Sequence, residues 1–240
     1  MAARESGVPF GPESEHLRTD TPVSAGPPVP AGPRPLFSWG FLAICVLVFL
    51  PHLATGPNPN LVLYGPAVAD GQWWRVLTAS VEHVSPLHIV MNGLSIFSFG
   101  PVVERLIGSR RLFVASLVCA LTSAAASLAF MWAYPSVGAS GVIAGWLGLA
   151  LPIFDQRGRK VLWQWTILLV LISLVPRVSW AGHLGGFLGG ASLGLLIRGS
   201  VRRNPSTPFR TFDRASVPLV VLAAALVFLV VRFHTGAVTG

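Results

Sequence analysis

A serine hydroxyl and a histidine imidazole open two of the apolar stretches of this chain. Ser140 stands in Gly138-Ala139-Ser140-Gly141, and His183 follows Ala181-Gly182. A hydroxyl is a weak nucleophile until an adjacent base takes its proton, and imidazole is the side chain best suited to that task near neutral pH. Lipid-bounded segments normally exclude such groups, so a reaction inside a bilayer is the leading expectation.

Two further polar residues belong to the same set. His88 and Asn92 are four apart, so they share one helix face and can aim an imidazole N–H and an amide NH2 at a common spot. Ser140 falls at the start of its helix, where unpaired backbone N–H groups and the helix dipole favour negative charge. A lone serine in a membrane helix more often bonds back to its own helix, and a lone histidine is often structural. The joint arrangement, at one depth, is what points to catalysis.

The elements that must position these groups are membrane spans. Hydrophobic residues make up 52% of the 240, and only 11% are charged, far below the roughly 25% of a soluble domain. That makes an all-α polytopic membrane protein. Seven spans are expected, over residues 37–53, 86–106, 112–134, 138–154, 161–175, 181–197 and 217–233. The fourth to sixth are short, which is tolerated beside a protein-lined cavity. Residues 1–36 are Pro-rich and polar, with no apolar core; they read as a disordered cytoplasmic tail, not a cleaved signal. Residues 37–198 form a six-span domain, 199–216 a basic loop, and 217–240 a seventh span with the C-terminus.

Of the 17 Lys+Arg, only Arg75, Arg177 and Arg232 fall on one side of this arrangement. The positive-inside rule therefore puts the N-terminus in the cytoplasm and the C-terminus outside. The net charge of +8 follows from that rule, and nucleic acid is not an expected partner. Trp39, Trp132, Trp163 and Trp180 stand near span ends, as interfacial anchors do. Residues 54–85 form the longest outer connection, either an amphipathic segment lying in the interface or a plain loop. Cys45 and Cys119 fall in different apolar runs and read as packing residues.

The second, fourth and sixth spans all run inward from the outer face, so His83, His88, Asn92, Ser140 and His183 sit at similar depth. Gly138, Gly141, Gly145 and Gly148 on the fourth span, and Gly182, Gly186 and Gly190 on the sixth, form small-residue stripes that allow close helix approach. None of the nine acids lies mid-membrane, so a Ser-His dyad is implied rather than a triad. Paired aspartates and a His-Glu-x-x-His motif are both absent, and no cofactor is expected.

These residues resemble the rhomboid family of intramembrane serine proteases over about residues 37–198. The resemblance rests on Trp74-Arg75, His83-x-Ser85-x-x-His88-x-x-x-Asn92, Glu104-Arg105, Gly138-Ala139-Ser140-Gly141 and Ala181-Gly182-His183-x-x-Gly186-x-x-x-Gly190. It implies a six-helix bundle with a cavity open to the outside, plus one extra C-terminal helix. It implies Ser140 as nucleophile and His183 as general base. His88, Asn92 and the Ser140 backbone N–H would stabilise the oxyanion, and Trp74, Arg75, Glu104 and Arg105 would be structural. The substrates implied are single-span membrane proteins cleaved near the outer face, with membrane lipids as the other expected partner. A bacterial-type plasma membrane is the expected location, because the tail is acidic and reads as no organelle-targeting presequence.

One departure bears on the site. The family commonly has an aromatic residue four positions after the serine, packed on the histidine. Here that position is Ala144, so His183 is less well oriented, or another aromatic such as Trp146 packs there. The alternatives are a catalytically inactive relative that binds transmembrane clients, and a transporter or haem carrier using His83, His88 and His183.

Overall fold

The computed structural model describes residues 34–176 and 178–236; residues 1–33 of the tail expected over 1–36, Arg177 and residues 237–240 lie outside them. Ten helices are described: α1 (Leu36–Phe49), α2 (His52–Thr55), α3 (Gly65–Ala69), α4 (Arg75–Thr78), α5 (Pro86–Ile107), α6 (Ser109–Phe130), α7 (Ser140–Ala150), α8 (Gln156–Ser173), α9 (Trp180–Arg203) and α10 (Arg210–Gly236). Among the described residues there is no β-strand, only an isolated bridge between Leu63 and Ser136.

Five helical segments are long and apolar enough to cross a membrane: Leu36–Thr55, Pro86–Ile107, Ser109–Phe130, Trp180–Arg203 and Arg210–Gly236. The other two expected spans are helical but differ in kind. α7 has 11 residues, about 16 Å of helix against a hydrocarbon core of about 30 Å. α8 carries Arg157, Arg159 and Lys160 among its first five residues. α9 and α10 extend past the expected spans, so only residues 204–209 of the basic stretch are not helical.

Local sequence sets the helix starts. Ser85 caps α5 by accepting from the His88 N–H at 3.2 Å, with Pro86 in the first turn. Gly108, at φ +87°, ends α5 and lets α6 begin at the next residue. Asp155 caps α8 and Ser179 caps α9 in the same manner, at 2.8 and 3.2 Å. α1 has no cap of its own. Instead the Glu104 carboxylate, at the far end of α5, accepts from the backbone N–H groups of Phe37 at 2.8 Å and Ser38 at 2.7 Å, and from the Ser38 hydroxyl at 2.6 Å. Those are orphan donors of the α1 N-terminus, met from another helix.

α7 is the centre of the bundle, with every residue from Gly141 to Ala150 buried. Its partner is α9, and the two glycine stripes face each other. A Cβ at Gly186 would strike the carbonyl oxygen of Gly141, one at Gly190 that of Gly145, and one at Gly194 that of Leu149. In the other direction, a Cβ at Gly145 would lie 3.0 Å from the Gly186 oxygen. Backbone meets backbone along three turns, which only glycine permits. Cys119 of α6 packs on the Gly145 side of this seam, and Cys45 is also buried; both are free thiols.

The connection expected at the outer face folds into the short helices α2–α4 rather than a plain loop. The buried Arg75 guanidinium donates from Nε to Gln72 Oε1 at 2.8 Å and from Nη1 to the carbonyls of Val62, at 2.7 Å, and Pro59. Trp74 Nε1 donates to the Asn60 carbonyl at 3.0 Å. Together they gather residues 59–62. Leu63 and Ser136 then exchange both backbone hydrogen bonds, and Gly138 N–H donates to the Ala79 carbonyl at 2.8 Å. The outer segment is thus tied to the turn that leads into α7. α10 closes over the same end, with Trp73 stacked on Phe228 and Trp132 stacked on His234.

Candidate active site

Ser140 is the first residue of α7, and the turn before it is specific to glycine. Gly138 adopts φ +113°, and a Cβ there would lie 2.7 Å from both Cε1 and Nε2 of His88. The His88 ring therefore lies against the turn that presents Ser140. The first intrahelical bond here runs from Ile143 N–H to the Ala139 carbonyl. The N–H groups of Ser140, Gly141 and Val142 precede it, so they are the donors that a helix N-terminus leaves over.

His183 lies one turn into α9, opposite Gly141. Its Nε2 is 2.8 Å from Ser140 Oγ. The serine and histidine singled out in the sequence are thus hydrogen-bonded, with His183 buried and Ser140 partly so. This is the contact a general base needs with its nucleophile. The glycine seam makes it possible by bringing α7 and α9 to backbone contact directly beneath the pair.

His88 and Asn92 are placed differently. His88 reaches the Ser140 turn, and its Nδ1 is buried without a hydrogen-bond partner among the described residues. Asn92 is buried one turn further along α5 and spends one amide hydrogen on the His88 carbonyl, at 3.0 Å. Its second amide hydrogen remains for another acceptor. Of the two side chains expected to serve one spot, His88 lies against the Ser140 turn and Asn92 bonds back to its own helix.

Trp146 does not substitute for the aromatic missing at Ala144. Its ring is buried on the opposite side of α7, with Nε1 donating to Ser116 Oγ at 2.9 Å and edge contacts to Phe37 and Phe41. Helical geometry explains this: at about 100° per residue, position 146 lies about 120° around α7 from position 140, so Trp146 turns away from Ser140. Among the described residues no aromatic ring is paired with His183. What meets the imidazole instead is Ser173, whose Oγ lies 2.7 Å from His183 Nδ1. Sequence reasoning missed it. Ser173 is a lone hydroxyl at the end of α8, and no spacing relates it to His183 because the contact is tertiary.

A second cluster lies beside the site, at the start of α5. His52 Nε2 is 2.9 Å from Glu82 Oε1, and His52 Nδ1 is 2.9 Å from the His83 carbonyl. The His83 ring sits edge-on to His88 with centroids 5.0 Å apart. Burial raises the Glu82 carboxyl above its usual range and pushes the His83 imidazole down to about 4. Glu82 Oε2 and His83 Nε2 are buried with no hydrogen-bond partner among the described residues.

A family model described as the Rhomboid domain matches residues 70–200. The chain is similar to Rhomboid protease GluP of Bacillus subtilis (strain 168), 36% identical over 182 residues. That match covers 68% of this chain and 36% of GluP, so the chain spans little more than a third of that relative. It is also similar to the putative rhomboid protease YdcA of the same organism, 31% identical over 142 residues, covering 55% of this chain and 71% of YdcA. RHOMBOID-like protein 2 of Arabidopsis thaliana is 29% identical over 220 residues, covering 76% of this chain and 67% of that protein.

Proposed function

The chain belongs to the Rhomboid family, and from that membership and the Ser140–His183 contact we propose that it is an intramembrane serine endopeptidase cutting transmembrane segments of other proteins. Its substrates are single-span membrane proteins, and cleavage occurs near the outer face of the bilayer. The protein sits in a bacterial plasma membrane with its N-terminus in the cytoplasm and its C-terminus outside, as the arginine distribution favours.

The chemistry follows from the site. Ser140 Oγ bonds the scissile carbonyl carbon while its proton passes to His183 Nε2. The carbonyl π electrons move to oxygen, and the oxyanion faces the backbone N–H at the start of α7, the His88 imidazole and the free amide hydrogen of Asn92. Such donors are worth about 3–4 kcal/mol each where one has been removed from a comparable site. His183 then gives its proton to the leaving amine, and the C–N bond breaks. Water attacks the acyl-Ser140 ester with His183 again as base, which frees the second product and restores Ser140. The single observation that carries this proposal is the 2.8 Å contact between Ser140 Oγ and His183 Nε2.

The test is cleavage of a panel of single-span proteins co-reconstituted with this protein in liposomes. Wild type is expected to release two fragments, and Ser140→Ala and His183→Ala are each expected to lose at least about 10⁴-fold in rate. Cleavage retained in either variant overturns the dyad. No cleavage by folded wild type across the panel would favour the client-binding alternative.

A further inference from the structure

We propose that Ser173 is a positioning residue that fixes the tautomer of His183, so that Nε2 is free to take the proton of Ser140. This rests on the assignment of Ser140 and His183 as nucleophile and base, and adds to it a third side chain from a third helix.

A base that must accept a proton at Nε2 has to carry its own proton on Nδ1, and which nitrogen is protonated is set by the partner of the other. Ser173 Oγ lies 2.7 Å from His183 Nδ1 and 2.6 Å from the Leu169 carbonyl oxygen. A carbonyl oxygen only accepts, whereas a hydroxyl has one hydrogen and two lone pairs. The 2.6 Å contact therefore spends the Ser173 hydrogen on Leu169. Only a lone pair of Oγ is left to face Nδ1, and only an N–H satisfies it. His183 then bears its hydrogen on Nδ1 and presents a bare Nε2 to the Ser140 hydroxyl at 2.8 Å.

The hydrogens run one way along the chain: Ser140 to His183, His183 to Ser173, Ser173 to Leu169. Reversing it would set two oxygen lone pairs 2.6 Å apart at Leu169 with no hydrogen between them. It would also put the imidazole hydrogen on Nε2, where it blocks the base.

Two further observations fit this role. Ala144 offers no ring to hold the imidazole and Trp146 points away, so the hydroxyl of Ser173 does the orienting. Among the described residues, the Ser173–His183 contact is also the one side-chain hydrogen bond from α8 to another helix. The residues α8 buries, Leu162 and Thr166, both precede its last turn. The protonation site of the base thus depends on where the end of α8 meets α9.

The test uses the full chain in detergent with labelled histidine, comparing wild type, Ser173→Ala and Ser173→Thr. Nitrogen chemical shifts of His183 are expected to show Nδ1 protonated and Nε2 bare in wild type. Ser173→Ala should give a mixture, and Ser173→Thr, which keeps the hydroxyl, should restore the wild-type pattern. Labelling by a fluorophosphonate probe should slow about tenfold in Ser173→Ala and recover in Ser173→Thr. Matching His183 spectra in wild type and Ser173→Ala, or a wild-type His183 bearing its hydrogen on Nε2, overturns the proposal. The spectra decide the role of Ser173 even if wild type takes no probe, an outcome that instead counts against the protease assignment.

Discussion

In the proposed orientation the molecule has an inner and an outer end, each of which buries a carboxylate, and the two are treated in opposite ways. At the inner end, Glu104 accepts three hydrogen bonds and closes the start of α1, so both of its oxygens are occupied. At the outer end, Glu82 has one oxygen against His52 and Asn58, while its other oxygen, His83 Nε2 and His88 Nδ1 have no hydrogen-bond partner among the described residues. A buried polar atom without a partner costs about 1–3 kcal/mol, so the outer end carries a burden the inner end does not. The inner end is arranged for stability. The outer end, where the His83 ring meets His88 and His88 lies against the Ser140 turn, keeps polar groups unspent.

Removing the inner carboxylate should produce the largest stability effect of the comparison. Glu104→Ala leaves the N–H groups of Phe37 and Ser38 and the Ser38 hydroxyl unmet, and is expected to cost about 3–4 kcal/mol. Thermal unfolding in detergent measures it, and probe labelling of the surviving folded protein should be unchanged. A variant as stable as wild type would break the contrast between the two ends.

Acid should weaken the outer end. His83 titrates near 6.5 when free and is pushed down to about 4 by burial. Above pH 6.5 neither state holds the proton, and His83 adds no pH dependence. As pH falls from 6.5 to 4 the unfolded chain takes up a proton that the folded one refuses, so stability drops by up to about 3 kcal/mol. Glu82, raised by burial, acts in the opposite sense, favouring the fold as pH falls toward 4.5. Unfolding of His83→Gln beside wild type between pH 4 and 7 isolates the histidine, and the variant's acid slope should be the more favourable one. Parallel slopes would contradict it.

The seam that joins the two ends can be broken by one methyl group. Gly190→Ala sets a Cβ against the Gly145 carbonyl, and neither backbone can yield without parting α7 from α9. We expect a loss of about 2 kcal/mol in unfolding experiments, with slower probe labelling because His183 recedes from Ser140. The smallest effect belongs to the exposed ion pair that ties α6 to α10 at the inner end. Arg111 Nε lies 2.7 Å from Asp213 Oδ1, but both groups face solvent, and Arg111→Gln should cost less than about 1 kcal/mol.

Much of this was legible in the sequence. The apolar runs place the long helices, the glycine stripes mark α7 and α9 as helices in backbone contact, and the matched depths of Ser140 and His183 foretell their meeting. The rest was hidden for physical reasons. Whether Asn92 aims at Ser140 or bonds back to His88 is a rotamer choice that spacing does not fix. Trp146 shares a helix with Ser140, but its face is decided by a cavity between α1, α5 and α6 that only the fold defines. Ser173 reads as an ordinary back-bonding serine, which it also is; its contact with His183 exists only because α8 ends against α9. The glutamate that caps α1 comes from α5, and no local capping signature announces a cap supplied by another helix.

The central claim is that His183 activates Ser140. The measurement that tests it most directly is mass spectrometry of the folded protein after reaction with a fluorophosphonate probe, wild type beside Ser140→Ala and His183→Ala. The account requires a single adduct on Ser140 in wild type and none in either variant. An adduct on another residue in Ser140→Ala, an undiminished adduct in His183→Ala, or no adduct in folded wild type would contradict it.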